Sequence, residues 1–369
     1  MQSWKDDPRS ATNPLFNENK LKFGVFGLNS GHQIMTKAPN RYVADWDRTD
    51  AAAAACDKLG IETLVSLMGW FGNPEHEPFT WASALSARYR NPTFISTLHM
   101  PLMHPTFVAK AAATIDKFSG GRFAINVVAG ANPGTMSPFG VGLEDHETRY
   151  AHAAEFMELL KRLWTEETHF SFSGRFYNIS KALSNPKPIQ HFPPVMNAGT
   201  SGRGKDFACK YADLVFTLLE PDMEDARAQI AEYKNYAREQ YQREIQVWTH
   251  GYTVIRETEK EAEEFLNFYA VEHADTEMIT AWVKALGASS ETDDPVKLAR
   301  MHSHWAAGNG TRLVGTADQV ADKMTKLANM GLDGILWNTI EPENLLAIAG
   351  RELLPRLEAN GIRKPFKKV

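Results

Sequence analysis

Cysteine is scarce in this chain. Cys56 and Cys209 are its two examples in 369 residues. They are too few for a disulfide framework and lack the C-x-x-C spacing of a redox or metal site. A basic excess is missing too. The 40 Lys and Arg face 45 Asp and Glu, a formal net charge of −5, so no surplus is left to neutralise a phosphate backbone and nucleic acid is not expected as a partner. The tail Arg363, Lys364, Lys367, Lys368 reads as a solvated terminus. No run approaches the ~18 consecutive apolar residues of a membrane span. The polar start MQSWKDDPRS lacks the apolar stretch of a secretory signal. The expectation is a protein of the reducing cytoplasm without membrane contact. Catalytic signatures are also absent: no G-x-S-x-G, no G-x-G-x-x-G after the first strand, no H-E-x-x-H. The pairs His99/His104 and His302/His304 have no zinc-ligand spacing, so no metal is expected.

What the sequence does have is alternation. Short apolar runs at 23–27, 63–68, 93–98, 122–129, 193–198, 213–219, 247–256 and 335–337 predict strands. Amphipathic segments at 44–59, 79–89, 105–118, 148–164, 204–211, 222–240, 257–271, 317–329 and 343–358 predict helices. Gly60 and Gly120-Gly121 read as helix stops, Thr148 as an N-cap, and Thr316-Ala317-Asp318-Gln319 as a capping box. Eight strand–helix units in one chain favour an α/β fold of the closed (β/α)8 TIM-barrel type over an open sheet. The whole chain, 1–369, reads as one barrel domain with residues 1–20 as an N-terminal arm. Two insertions interrupt it. The one near 165–193 contains a small hairpin at 169–179; the other, 273–311, is polar and irregular and reads as an active-site lid.

In such a barrel the chemistry sits at the carboxyl ends of the strands. The segment Asn197-Ala198-Gly199-Thr200-Ser201-Gly202-Arg203-Gly204-Lys205 joins a strand to a helix, and its glycines and serine suit an anion at a helix start. Its G-x4-G-K spacing nearly spells a P-loop. However, Asp206 stands where the Mg²⁺-binding hydroxyl belongs, which excludes a triphosphatase and leaves a monophosphate site or a structural turn. Asn126 puts an amide inside the apolar run FAINVVA, where it needs partners. Those partners are either a neighbouring strand or a ligand. Arg149, in the first turn of its helix, opposes the helix dipole, which points either to an anionic partner or to simple exposure. A barrel with a phosphate cradle but no nucleophile, metal or acid–base pair borrows its chemistry from a phosphorylated cofactor, and FMN fits.

Several motifs carry a family resemblance. Residues 113–128, ATIDKFSGGRFAINVV, resemble the ATxDxxSxGRxxxNxV signature of the bacterial luciferase-like flavin monooxygenases. His146-Glu147-Thr148-Arg149-Tyr150 is similar to their H-x-x-R-Y, residues 198–204 to their phosphate loop, and Leu313-Val314-Gly315-Thr316 to a late L-V-G motif. The likeness runs from about 21 to 358 and is greatest toward the branch of pyrimidine, dimethylsulfone, alkanesulfonate and dibenzothiophene sulfone monooxygenases. The resemblance implies FMN as FMNH2, supplied by a separate NAD(P)H:flavin reductase, with O2 as oxidant and a homo-oligomer, dimer or tetramer. It implies that Thr97 and Asn126 line the oxygen pocket as catalytic residues. Met68 and Gly69 would contact the flavin ring, Ala198, Gly199 and Ser201 would hold the phosphate, and Arg149 and Tyr150 would close over it. An F420-dependent oxidoreductase of the same superfold and a non-enzymatic flavin-binding protein stand as alternatives. The pyrimidine enzyme's Lys, Trp and Glu are replaced by Gly69, Ala131 and Thr135, which argues against a uracil-like substrate. The alkanesulfonate enzyme's Arg and His read His250 and Tyr252, and its late-loop sulfonate Arg aligns near Ala306, which argues against a sulfonate. The expected substrate wall is Trp70, Phe71, His76, His99, Trp248, His250, Trp305 and Trp337, which suits a small neutral compound, aromatic or heteroaromatic ones included.

Overall fold

The computed structural model describes residues 7–31, 34–68, 75–130, 136–200, 202–285 and 294–367. Eight parallel strands close into a ring: β1 (Lys22–Phe26), β2 (Thr63–Val65), β3 (Thr93–His99), β4 (Phe123–Val128), β7 (Val195–Asn197), β8 (Leu214–Phe216), β9 (Gln246–Ile255) and β11 (Gly334–Asn338). β11 pairs back onto β1, with Phe23 opposite Ile335. The (β/α)8 barrel expected from the alternation is therefore present. Its outer layer includes α1 (Trp46–Leu59), α2 (Pro78–Arg88), α3 (Pro105–Ser119), α4 (His146–Thr165), α5 (Gly202–Tyr211), α6 (Met223–Tyr241) and α7 (Glu259–Asn267). The remaining helices are α8 (Thr276–Ala285), α9 (Pro295–Ala307), α10 (Ala317–Asn329), α11 (Pro342–Ile348) and α12 (Leu354–Ala359).

The alternation of side chains along each strand sorts the core into two shells. Val65, Ile95, Ala124, Met196, Leu214, Trp248 and Leu336 fill the barrel interior. Phe23, Leu64, Phe94, Phe123, Val195 and Trp337 face the helices instead. Trp248 occupies so much of the interior that a Cβ on Gly334 would lie 2.2 Å from its ring. The arm is a plug. Two short 3₁₀ turns, Pro8–Ala11 and Pro14–Phe16, bring Leu15 and Phe16 into the interior cluster from below. Gln246 donates to the Leu15 carbonyl at 2.7 Å.

Local signals held at several ends. Gly60 (φ +64°) and Gly120 (φ +70°) stop α1 and α3 in the left-handed region. Thr316 and Gln319 exchange both bonds of the capping box. The inserted hairpin is β5 (Phe170–Ser173) with β6 (Asn178–Ala182).

Three expectations need correction. α4 starts at His146, because the Asp145 side chain caps it by accepting from the Thr148 N–H at 3.0 Å; Thr148 lies inside the helix. Segment 273–311, of which 286–293 lie outside the described residues, is not irregular in its described parts. It holds α8 and α9, whose Ile279, Val283 and Ala306 bury against Met35, with Trp282, Leu298, Met301 and Trp305 packed alongside. Those apolar residues recur at helical spacing between polar ones, which masked the pattern. Finally, β10 (Thr311–Gly315) is an extra strand. It pairs with the upper half of β9, Gly251 to Ile255, beyond where β8 pairs at Gln246 to Trp248, and so raises one wall of the barrel mouth.

Candidate active site at the barrel mouth

Two strand ends place a polar pair at the centre of the mouth. Thr97 and Asn126 face each other in the β3–β4 register. The Thr97 hydroxyl donates to the Ser66 carbonyl at 2.5 Å. Its oxygen is then free only to accept, so Asn126 must present Nδ2 to it, at 3.1 Å. That fixes the amide's orientation and leaves Asn126 Oδ1 buried with no partner among the described residues. An unpaired buried acceptor costs roughly 1–3 kcal/mol. The neighbouring-strand reading of Asn126 thus accounts for one half of its amide and not the other.

His250 lies on the opposite side. Its ring is stacked between Phe26 and Phe216, with centroids 5.5 Å away on each side. Burial, with His304 nearby, lowers its pKa from 6.5 to about 4. His99, at the end of β3, is lowered to about 4 by burial alone. Both imidazoles are neutral at pH 7. Next to His250, Asn338 ends β11 with its Nδ2 donating to the Gly308 carbonyl at 2.7 Å. Its Oδ1 is buried and unpaired. Among the described residues, the inward side chains at this level, Phe26, Thr97, Asn126, Phe216, His250 and Asn338, carry no formal charge at neutral pH.

The flank after β7 has a different character. The Asn197 side chain donates to the Val127 carbonyl at 2.6 Å and accepts from the Gly199 N–H at 2.8 Å, which ties the loop to β4. A Cβ on Gly199 would lie 2.2 Å from the Gly204 carbonyl, so the loop and the first turn of α5 meet at a distance only glycine permits. α4 is fastened alongside: Glu147 pairs with Arg203 at 2.6 Å, and Tyr150 packs on Phe207 at 5.8 Å. Arg149 donates to the Gly130 carbonyl, and its Nε is buried without a partner. A helix start, a constrained glycine and a guanidinium together make a place for an anion. Ala198 and Gly199 lie in that loop; Ser201 lies outside the described residues.

The remaining expected residues divide. Met68 accepts from the His99 N–H at 3.2 Å, which brings those two together. Asn29 donates to the carbonyls of Leu67 and His76 at 2.8 and 2.9 Å, tying together the described residues on either side of 69–74. His76 stands at that flank, with Nε2 buried and unpaired. Gly69, Trp70 and Phe71 lie outside the described residues. Trp248 is deeper than the mouth and forms its floor, its Nε1 donating to Gln246 at 2.8 Å. Trp337 points away from the mouth, buried in the outer shell and stacked on Phe23 at 5.5 Å. Odd and even residues of a strand face opposite sides, and the inward position at this end of β11 belongs to Asn338. Trp305, half-buried, packs on Trp282 at 5.6 Å between α8 and α9. Phe26 and Phe216 were not singled out from the sequence, and Asn338, beside Trp337 at a strand end, was given no role. Strand parity would have found Asn338, since it is two residues beyond Leu336, which lies in the interior.

The chain is similar to several known proteins along most of its length. The FMNH2-dependent dimethylsulfone monooxygenase of Pseudomonas putida is 29% identical over 355 residues, covering 91% of this chain and 94% of that protein. Among solved structures, the EDTA monooxygenase of Chelativorans sp. BNC1 superposes with a TM-score of 0.80 at 22% identity, covering 93% of this chain and 94% of that one. A riboflavin lyase solved with modified FMN and riboflavin gives a TM-score of 0.83 at 21% identity, with 95% and 94% covered. At such identities the structural likeness speaks for the shared barrel. The luciferase-like monooxygenase family model matches residues 21–334, a span that includes the Thr97–Asn126 pair, the Gly199 loop and His250: the chain belongs to the luciferase-like monooxygenase family.

Proposed function

We propose that this protein is the oxygenating half of a two-component system, which binds FMNH2 from a separate NAD(P)H:flavin reductase and uses O2 to oxygenate a small neutral organic compound. The observation that carries this reading is the Thr97–Asn126 pair, with a buried acceptor unpaired at the centre of the mouth. The dimethylsulfone monooxygenases of Pseudomonas putida and Pseudomonas fluorescens, both FMNH2-dependent by name, support the same cofactor. The residues fit that group. The Ala198–Gly199 loop with Ser201 and the start of α5 would hold its phosphate, and Arg149 and Tyr150 would close over it. Met68 and Gly69 would line the ring, with Thr97 and Asn126 beside its reacting edge. Reduced flavin, when bound, supplies the two electrons that let one oxygen atom enter the substrate and the other leave as water. The chain's own part is to position and to exclude water. Phe26 and Phe216 hold the neutral His250 ring in place, and the α8–α9 hairpin, the proposed lid, rises from the strand ends at Gly308–Gly310. His76, His99 and His250, with Trp70 and Phe71, would form the substrate wall above the Trp248 floor. The uncharged mouth supports a neutral substrate, heteroaromatic ones included, over an anionic one. On α3, Phe107 and Phe118 are both more than half exposed on one helix face, which supports a homo-oligomer. Among the described residues no helix is long and apolar enough to cross a membrane.

The test is anaerobic titration with FMNH2, then with O2. FMN should bind at least tenfold tighter than riboflavin, which lacks the phosphate, and Gly199→Ala should erase most of that difference. O2 uptake should follow FMNH2 and not reduced F420. Equal affinity for riboflavin and FMN, or O2 uptake indifferent to the protein, overturns the reading.

A further inference from the structure

The turn Gly308-Asn309-Gly310, which leads from α9 into β10, has three successive positive φ angles, +113°, +57° and +86°. Two residues of the mouth lie directly beneath it. A Cβ on Gly310 would sit 2.8 Å from His250 Nε2, and one on Gly308 would sit 3.2 Å from Asn338 Nδ2. Both side chains spend their donors on the turn. Asn338 Nδ2 donates to the Gly308 carbonyl at 2.7 Å. A carbonyl can only accept, so the amide orientation is settled and Oδ1 faces the other way, buried and unpaired among the described residues. The His250 ring hydrogen-bonds the backbone of Gly308 and Asn309. Nε2 is the nitrogen against the turn, and a neutral imidazole has one N–H, so Nδ1 is left as a bare acceptor, also buried and unpaired. Asn338 is 1% exposed and His250 5%. Asn338 is aligned with Tyr252 on β9, two residues beyond His250, so the two acceptors share one wall.

A wall built of acceptors calls for a ligand that donates. We propose that Asn338 is a substrate-positioning residue: its amide nitrogen fastens the 308–310 turn of the α8–α9 hairpin, while its Oδ1 accepts a hydrogen bond from an N–H or O–H of a neutral substrate. This rests on the flavin monooxygenase reading above and narrows its substrate class. Primary and secondary amides, sulfonamides, lactams and N–H heteroaromatics qualify. A sulfone or a tertiary amide, which only accepts, would face oxygen and nitrogen lone pairs with no proton between. A site built around such a bond discriminates far more strongly than an apolar pocket does, because the analogue leaves a buried polar group unpaired.

Methanesulfonamide and dimethylsulfone differ by NH2 against CH3 in almost the same shape. 2-Pyrrolidinone and N-methyl-2-pyrrolidinone form a second pair. Dissociation constants for all four are measured on the FMN-loaded protein by saturation-transfer NMR, alongside hydrogen exchange across 304–311. The wild type should prefer the donor of each pair by at least tenfold. Asn338→Leu should lose the preference and the exchange protection of the turn. Asn338→Asp should keep the preference and lose the protection, since a carboxylate accepts from the ligand but repels the Gly308 carbonyl. FMN affinity should stay within about twofold in both variants, and melting curves should remain cooperative. No preference in the wild type, an unchanged preference in Asn338→Leu, no binding of any of the four, or a loss of FMN affinity in place of ligand affinity overturns the proposal. A wild-type protein that takes up no FMN at all overturns the flavin reading instead.

Discussion

The two ends of the barrel treat buried polar groups in opposite ways. At the lower end they are paired. Glu62 accepts from the side chains of Asn17 and Asn19 at 3.2 and 2.5 Å and from the Phe23 N–H at 2.9 Å. Gln190 donates to Asp116 at 2.6 Å and to the Phe123 carbonyl at 2.8 Å. The fully buried Lys22 donates to the Asn19 carbonyl at 2.7 Å. Exceptions away from the mouth include the indole nitrogens of Trp81 and Trp337, and Arg363, whose Nη2 reaches the Leu59 and Gly60 carbonyls at 3.3 Å while Nη1 finds no hydrogen-bond partner among the described residues. At the upper end, Asn126, Asn338, His250, His99, His76 and Arg149 each keep one buried atom unpaired among the described residues. Each such atom costs folding free energy. We read the polar atoms left open above as held for a ligand, since buried polar groups are ordinarily paired. The lower end therefore contributes stability and the upper end function, and the two should separate under mutation.

The largest effect belongs below. Glu62→Ala would strand the three N–H groups that now donate to its carboxylate, and we expect a loss of about 4 kcal/mol in chemical denaturation, with turnover per folded molecule unchanged. A pH series draws the same contrast above. His99 and His250 titrate near 4 when folded against 6.5 when free. Between those values the unfolded chain binds more protons, so stability falls as pH drops from 6.5 toward 4, by up to about 3 kcal/mol for each histidine. His250→Phe should flatten part of that fall in melting curves taken from pH 7 to 4. Burial raises Asp116 and Asp333, which act in the opposite direction, but they are common to both proteins and cancel in the difference. Asn126→Ala comes next. It removes the bond to Thr97 and an unpaired oxygen together, so stability should change by less than about 1 kcal/mol. Product formation should fall roughly 10²-fold with FMN affinity retained. If Asn126→Ala destabilises as much as Glu62→Ala, the two ends do not differ as argued.

The barrel was legible in the sequence because alternation and helix stops are local. β4 reads as a strand from FAINVVA alone, and Gly60 stops α1 for reasons contained in its own φ. Asn126 was legible because an amide in an apolar run is an anomaly that one strand displays by itself. Asn338 was not, because its meaning depends on a turn thirty residues upstream that approaches it only in the fold. Trp337 misled for the converse reason. A tryptophan at a strand end suggests a wall, but parity with Phe23 and Val25 in the outer shell turned it toward the helices. The α8–α9 hairpin escaped since its apolar stripe is narrow and its partner, Met35, lies in the distant β1–α1 connection.

The smallest expected effect tests whether the hairpin belongs to the upper end's function at all. Trp305 is half-buried against Trp282, and its helix leads straight into the turn seated on His250 and Asn338. Trp305→Ala opens a gap in the hairpin's packing, which loosens the seat of the turn without removing any group that faces the mouth. FMN affinity should therefore stay within about twofold, since the Gly199 loop and Arg149 lie on other elements. Water entry should rise, and with it hydrogen peroxide released per FMNH2 oxidised, by a few-fold. Peroxide yield and product yield measured in the same reaction separate the cases. A yield unchanged in a variant whose 304–311 amides exchange faster would mean that the hairpin is scaffold, and that the functional end of the barrel stops at the strand ends.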